Sequence, residues 1–120
     1  MTEFELVIKN EPLISPDHAE SLGLFGLIKL VMDGYGFSGD ETEKLAQFHQ
    51  EYGKAGKTMF FIKNTELVVA SLVLRPIDNI LGYKVVNLSG IVVSPKYRGI
   101  GLVSKLLESA VIELTPDLFV

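Results

Sequence analysis

Ile91-Val-Val-Ser-Pro-Lys-Tyr-Arg-Gly-Ile-Gly-Leu-Val-Ser-Lys-Leu-Leu107 is the stretch that decides the fold. Its opening residues, Ile91, Val92 and Val93, are branched and apolar, as a buried strand requires. Pro95 ends that strand. Two glycines, Gly99 and Gly101, then precede a pattern of helical period in which Leu102, Leu106, Leu107, Ala110, Val111 and Leu114 share one face. A strand, a glycine turn and a helix N-terminus form a recurrent anion-binding unit. The first helical amides lack partners and carry partial positive charge, and glycine lets a ligand approach the backbone. Lys96 and Arg98 add charge at the entry. An ordinary strand-to-helix connection has the same spacing, so spacing alone leaves both readings open.

Working outward, residues 83–94 read as one long strand containing Gly90, and a glycine inside a strand marks a bulge or a close backbone approach. Upstream, residues 58–63 and 67–74 are β-rich runs joined by Asn64-Thr65-Glu66, the pattern of an antiparallel hairpin. Residues 4–10 predict an opening strand. Ser15-Pro16 predicts a helix start, with Ser as cap and Pro in the first turn, and the helical pattern continues to about Met32. A glycine-rich loop follows. Ser38 and Glu41 have the spacing of a capping box opening a second helix to about Lys54, with Leu45, Phe48 and Tyr52 facing the core. Beyond Thr115-Pro116, residues 118–120 start a last strand. The expected order is β-α-α-β-β-β-α-β: an α/β (α+β) fold with a mixed, mostly antiparallel sheet, helices on both faces and a parallel last pair.

Composition narrows the chemistry. One hundred and twenty residues make a single domain spanning 1–120, and at 48% hydrophobic the chain is too apolar to be disordered. The absence of cysteine excludes disulfides, thiolate metal sites and a catalytic Cys. His18 and His49 alone cannot build a zinc site, so no metal is expected. The longest apolar stretch, residues 22–32, is interrupted by Lys29 and falls far short of a membrane span. Glu3 and Glu5 stand where a signal peptide carries positive charge, so the expected location is cytoplasmic. A net charge of −4 argues against nucleic acid. Yet no acid lies between Asp78 and Glu108, a window holding Lys84, Lys96, Arg98 and Lys105, as a segment facing an anion would. Gly53-Lys-Ala-Gly-Lys-Thr58 is not a phosphate loop: it has two residues where four are needed, and it follows a helix and opens a strand.

The run from Val93 to Gly101, followed by a helix with paired leucines, resembles the acetyl-CoA-binding motif of the GNAT superfamily of N-acetyltransferases, R/Q-x-x-G-x-G/A preceded by V-x-P-x-Y. Val93, Pro95 and Tyr97 match the lead-in, and Arg98 and Gly101 match the first two fixed positions. The third falls on Val103, a branched residue where the family has a small one. The element order is also that family's, from its first strand to its fifth.

The resemblance implies acetyl-CoA as co-substrate, lying where strands four and five splay apart near Gly90. Backbone groups of Ile91, Val92 and Val93 would pair with its acetyl and pantetheine arm. Arg98 and the amides of Gly99, Ile100, Gly101, Leu102, Val103 and Ser104 would hold its pyrophosphate. A primary amine of a small molecule or peptide would attack the thioester directly. The family's acid, a tyrosine on a helix after strand five, has no counterpart here; Tyr35, Tyr52, Tyr83 and Tyr97 all fall elsewhere, and Tyr97 reads as a packing residue. The family's base, a glutamate on strand four, is replaced by Asn87 and Ser89, so no catalytic residue is assigned. Acidic residues around the glycine-rich loop, Asp40, Glu41 and Glu43, would suit a cationic acceptor or merely complement the helix dipole. The expected domain is incomplete at its C-terminus, with a homodimer covering the apolar edge strand. The competing expectations are a non-catalytic CoA-binding or assembly module, or the N-terminal part of a longer acetyltransferase.

Overall fold

The computed structural model describes residues 4–77 and 79–120. Five strands form one sheet in sequence order: β1 (Phe4–Lys9), β2 (Thr58–Asn64), β3 (Leu67–Pro76), β4 (Val85–Val93) and β5 (Leu118–Phe119). The first three pairings are antiparallel, and β4 and β5 are parallel. The helices are α1 (Pro16–Ser21), α2 (Leu27–Tyr35), α3 (Glu41–Tyr52) and α4 (Leu102–Leu114).

Alternation along the strands sends neighbouring residues into two cores. Met59, Phe61, Val73 and Val92 pack under α1, α2 and α3 with Phe48 and Tyr52, whereas Phe60, Ile62, Leu72, Leu74 and Val93 pack under α4 with Leu102, Leu106 and Ala110. The mixed, mostly antiparallel sheet with helices on both faces is the expected architecture.

Three local expectations are corrected. The helix expected to run to Met32 is two helices, separated at residues 22–26. Gly23 and Gly26 adopt left-handed φ of 81° and 78°, and the Phe25 carbonyl accepts from the Val68 amide at 2.8 Å, a bond made in a parallel bridge to Leu67. Pairing the chain with the start of β3 is incompatible with a continuous helix. The capping box is Asp40 and Glu43, not Ser38 and Glu41: Asp40 Oδ1 accepts from the Glu43 amide at 2.9 Å, and the Glu43 carboxylate accepts from the Asp40 amide. Leu45 is exposed, leaving Phe48 and Tyr52 as the buried stripe of α3. Ser15 does cap α1 through its bond from the His18 amide. The connection from β3 to β4 includes residue 78, which lies outside the described residues. Its remainder closes between Ile80 and Tyr83, with Leu81 and Gly82 left-handed.

Two features position the site. Val73 pairs with Gly90 and Leu74 with Leu88, so Ser89 is an extra residue without a partner on β3, a bulge beside the glycine that signalled it. Along its other edge, β4 is zipped to the C-terminal segment only from Lys84 to Leu88. The last of these bonds run from the Val120 amide to the Val86 carbonyl (3.0 Å) and from the Leu88 amide to the Val120 carbonyl (2.9 Å). Past the bulge, residues 89–93 have no strand beside them on this edge among the described residues.

Candidate functional site

After Val93 the chain makes a short 3-10 turn, Pro95–Tyr97, and enters α4 through Gly99 (φ 78°) and Gly101 (φ 86°). Both glycines are left-handed, a conformation that side chains disfavour, and nothing stands within 4 Å of a Cβ added to either. Gly101 supplies no side-chain cap, and the first bond of the helix runs from the Lys105 amide to the Gly101 carbonyl. The amides of Leu102, Val103 and Ser104 therefore point out of the helix end without intrahelical partners. A cavity of about 270 Å³ opens here, lined by Arg98, Gly99, Gly101, Leu102, Val103 and Ser104. It adjoins a second cavity of about 310 Å³ between α2 and the end of β4, with Val93, Tyr97 and Arg98 common to both. Arg98 is tied to the end of β4, its Nε donating to the Val93 carbonyl at 3.2 Å.

The turn thus gathers most of the residues singled out in the sequence. Val92 and Val93 line the larger cavity. Ile91 packs instead toward the α4 core, and Ile100 projects outward without lining either cavity. Val103 is exposed in the first turn of α4. Tyr97 is a packing residue: its ring meets Phe4 edge-on, with centroids 6.0 Å apart, and its hydroxyl accepts from Asn64 Nδ2 at 2.6 Å. Gly53 closes the C-terminus of α3 and Thr58 opens β2, so the run follows a helix and opens a strand, as expected.

At the bulge the structure assembles a polar cluster that sequence reading missed. Glu51, near the end of α3, accepts a hydrogen bond on Oε1 from Ser89 Oγ at 3.1 Å. Lys57 Nζ lies 3.5 Å from the same serine hydroxyl and donates to the Glu51 carbonyl at 2.9 Å. Tyr35, from the end of α2, places its hydroxyl 2.6 Å from the point where a Cβ on Gly90 would stand, and Glu51 Oε1 lies 2.8 Å from it. Beneath them the buried Tyr52 hydroxyl pairs with Ser71 Oγ at 2.8 Å. Burial pushes the Tyr35 phenol up to about 12; the nearby Tyr52 hydroxyl pulls it down, and the Glu51 carboxylate adds to the rise. Although these two hydroxyls are close, no hydrogen bond of ordinary geometry joins them, and Tyr35 Oη is buried without a partner among the described residues. Tyr52 is also raised well above its ordinary value, by burial first and by Tyr35 second. Both phenols stay protonated at neutral pH. The legible signal was Gly90, where a glycine admits what packs above it. Glu51 and Tyr35 themselves carry no local signature.

No group of three or more His, Cys, Asp or Glu side chains among the described residues could hold a metal. Among the described residues, no helix is long and apolar enough to cross a membrane.

The sequence profile described as "Acetyltransferase (GNAT) family" matches residues 25–115. Among curated proteins, none matches in sequence. Among solved structures, the chain is similar to the ribosomal-protein-alanine N-acetyltransferase of Brucella melitensis biovar Abortus 2308, with a TM-score of 0.70 and 11% identity over 98% of this chain and 79% of that one. It is also similar to the aminoglycoside N-acetyltransferase AAC(6')-Iy in complex with CoA, with a TM-score of 0.65 and 15% identity over 96% of this chain and 71% of that one. A third is the aminoglycoside 6'-N-acetyltransferase AAC(6')-Ih of Acinetobacter baumannii, with a TM-score of 0.65 and 17% identity over 98% and 77%. At these identities the likeness is one of fold.

Proposed function

Because this chain belongs to the GNAT acetyltransferase family, we propose that it binds acetyl-CoA and transfers the acetyl group to a primary amine of a small molecule or peptide. The observation that carries this reading is the turn at Gly99 and Gly101, left-handed and unobstructed at the uncapped start of α4, beside a strand edge that lies open past its bulge. An anion seated on the amides of residues 99–104 gains their hydrogen bonds and the helix dipole, with Arg98 adjacent. An extended thioester arm beside Ile91, Val92 and Val93 would find strand backbone to pair with, and its carbonyl would then lie near the bulge. The bound thioester supplies an activated acyl group. The protein's part is to hold the amine against it and to manage the amine's protons.

Similar structures support the substrate classes: one is in complex with CoA, and their names specify a ribosomal-protein alanine or an aminoglycoside. A location in the cytoplasm fits a chain free of cysteine. The exposed Leu118, Phe119 and Val120 along the outer edge of the sheet support a homodimer that covers them, which light scattering would detect.

Isothermal titration with acetyl-CoA tests the reading, with one site per chain expected. Absence of binding at millimolar acetyl-CoA overturns it. A second reading, a CoA-binding or assembly module without turnover, is favoured by the lack of a carboxylate on β4, which offers only Asn87 and Ser89. Release of free CoA in the presence of amines excludes that alternative.

A further inference from the structure

The cluster above Gly90 supplies what β4 lacks. A carboxylate reaches the bulge from another element, α3, and rests on Ser89, the one residue that the bulge leaves unpaired. Next to it stands a phenol whose buried hydroxyl has no partner among the described residues. A buried donor left unpaired costs stability, so its persistence calls for an explanation. Adding even a Cβ at Gly90 would collide with both groups, which puts the two oxygens together over one backbone position.

We propose that Glu51 is the proton acceptor for the attacking amine, and that Tyr35 is a positioning residue whose hydroxyl receives the carboxylate when it turns away from Ser89. The inference rests on the acetyl-transfer reading above. The step balances as follows. An ammonium substrate gives one proton to the Glu51 carboxylate, which passes it to solvent. The freed nitrogen lone pair forms the N–C bond to the thioester carbonyl, and the C–S bond breaks. The second nitrogen proton ends on the departing sulfur, leaving an amide and free CoA thiol. The groups facing Glu51 are Ser89 and Lys57 from the sheet side and Tyr35 from α2, with Tyr52 beneath. Lys57 is the one cation among them, held on the Glu51 backbone carbonyl and beside the Ser89 hydroxyl.

The test measures CoA release with spermidine, an alanyl peptide and neamine as acceptors, alongside acetyl-CoA affinity by titration. Glu51→Gln keeps the shape and an acceptor for Ser89. It is expected to lower kcat about 100-fold or more, to abolish the acid limb of the kcat–pH profile and to leave acetyl-CoA affinity unchanged. Glu51→Asp, with its carboxylate on a shorter stem, retains that limb at reduced kcat. Tyr35→Phe removes the hydroxyl proposed to receive the carboxylate once it turns from Ser89, so the limb is expected to shift to higher pH, a change that looser packing would not produce. A Glu51→Gln enzyme that keeps most of the wild-type kcat and its acid limb overturns the assignment and leaves the transferase reading standing. A wild type that binds acetyl-CoA but releases none with any of the three amines overturns both this assignment and the activity.

Discussion

Replacing Tyr35 by Phe removes one oxygen and leaves the ring stacked on Phe37, whose centroid lies 5.6 Å away. An intuition based on counting polar groups expects a loss of stability; the structure predicts the reverse. The hydroxyl is buried and unpaired, and holding such a group away from water costs about 1–3 kcal/mol. Deleting it recovers part of that cost, so Tyr35→Phe is expected to be neutral or to stabilise by up to about 1–2 kcal/mol. In a chain of this size that is a rise in Tm of about 3–5 °C per kcal/mol. The control is Tyr52→Phe, with the same atom removed nearby. Its hydroxyl pairs with Ser71 Oγ at 2.8 Å, and Ser71 is fully buried, so the variant strands a second polar atom and should lose about 1–3 kcal/mol. Urea denaturation followed by circular dichroism at neutral pH measures both, with an unchanged m-value required of each variant. If Tyr35→Phe destabilises by more than about 1 kcal/mol, its hydroxyl has a partner in the folded protein and the reasoning fails.

Other outcomes follow from the same coordinates. Gly34→Ala would place a Cβ 1.9 Å from Val92 Cγ2, so α2 must lift from β4, and a loss of about 1–3 kcal/mol or more is expected in the same assay. Gly101→Glu adds a negative charge and a strained φ to the α4 turn; titration should show acetyl-CoA binding abolished, and unchanged affinity would place the cofactor elsewhere. Asp40→Ala breaks the capping box of α3 and should cost about 1 kcal/mol, with a matching fall in Tm. The two phenols predict alkaline lability. An unfolded tyrosine ionises near 10 and folded Tyr35 at about 12, so the folded state holds more protons in that window. Stability is therefore level below pH 10 and falls as pH rises toward 12, and Tyr35→Phe should flatten part of the fall.

The division between what the sequence disclosed and what it withheld has physical causes. Strands were legible because a two-residue period leaves a strong trace, and the parallel last pair followed from the intervening helix. The break between α1 and α2 was hidden because residues 22–32 are apolar nearly throughout, so a continuous buried helix satisfied the pattern equally well. Only the pairing of Phe25 with β3, a tertiary bond, rules it out. Two overlapping capping boxes were available, Ser38 with Glu41 and Asp40 with Glu43. Gly39 at φ 101° turns the chain so that the helix starts after Asp40. The turn before α4 could be read because its parts are contiguous. Glu51 and Ser89 meet across 38 positions of sequence, and such a contact leaves no local period to detect.

A ligand paired along the open edge of β4 would also tie folding to supply. Backbone groups past the bulge are satisfied by water when nothing lies beside them, and an extended ligand that pairs there becomes, in effect, a strand contributed from solution. Such a ligand binds the folded chain and has no site on the unfolded one. At 100 times its dissociation constant it would add about 2.7 kcal/mol to the stability of the protein. Abundance in a cell would then rise and fall with the concentration of that ligand, because chains without it unfold more often and are degraded sooner.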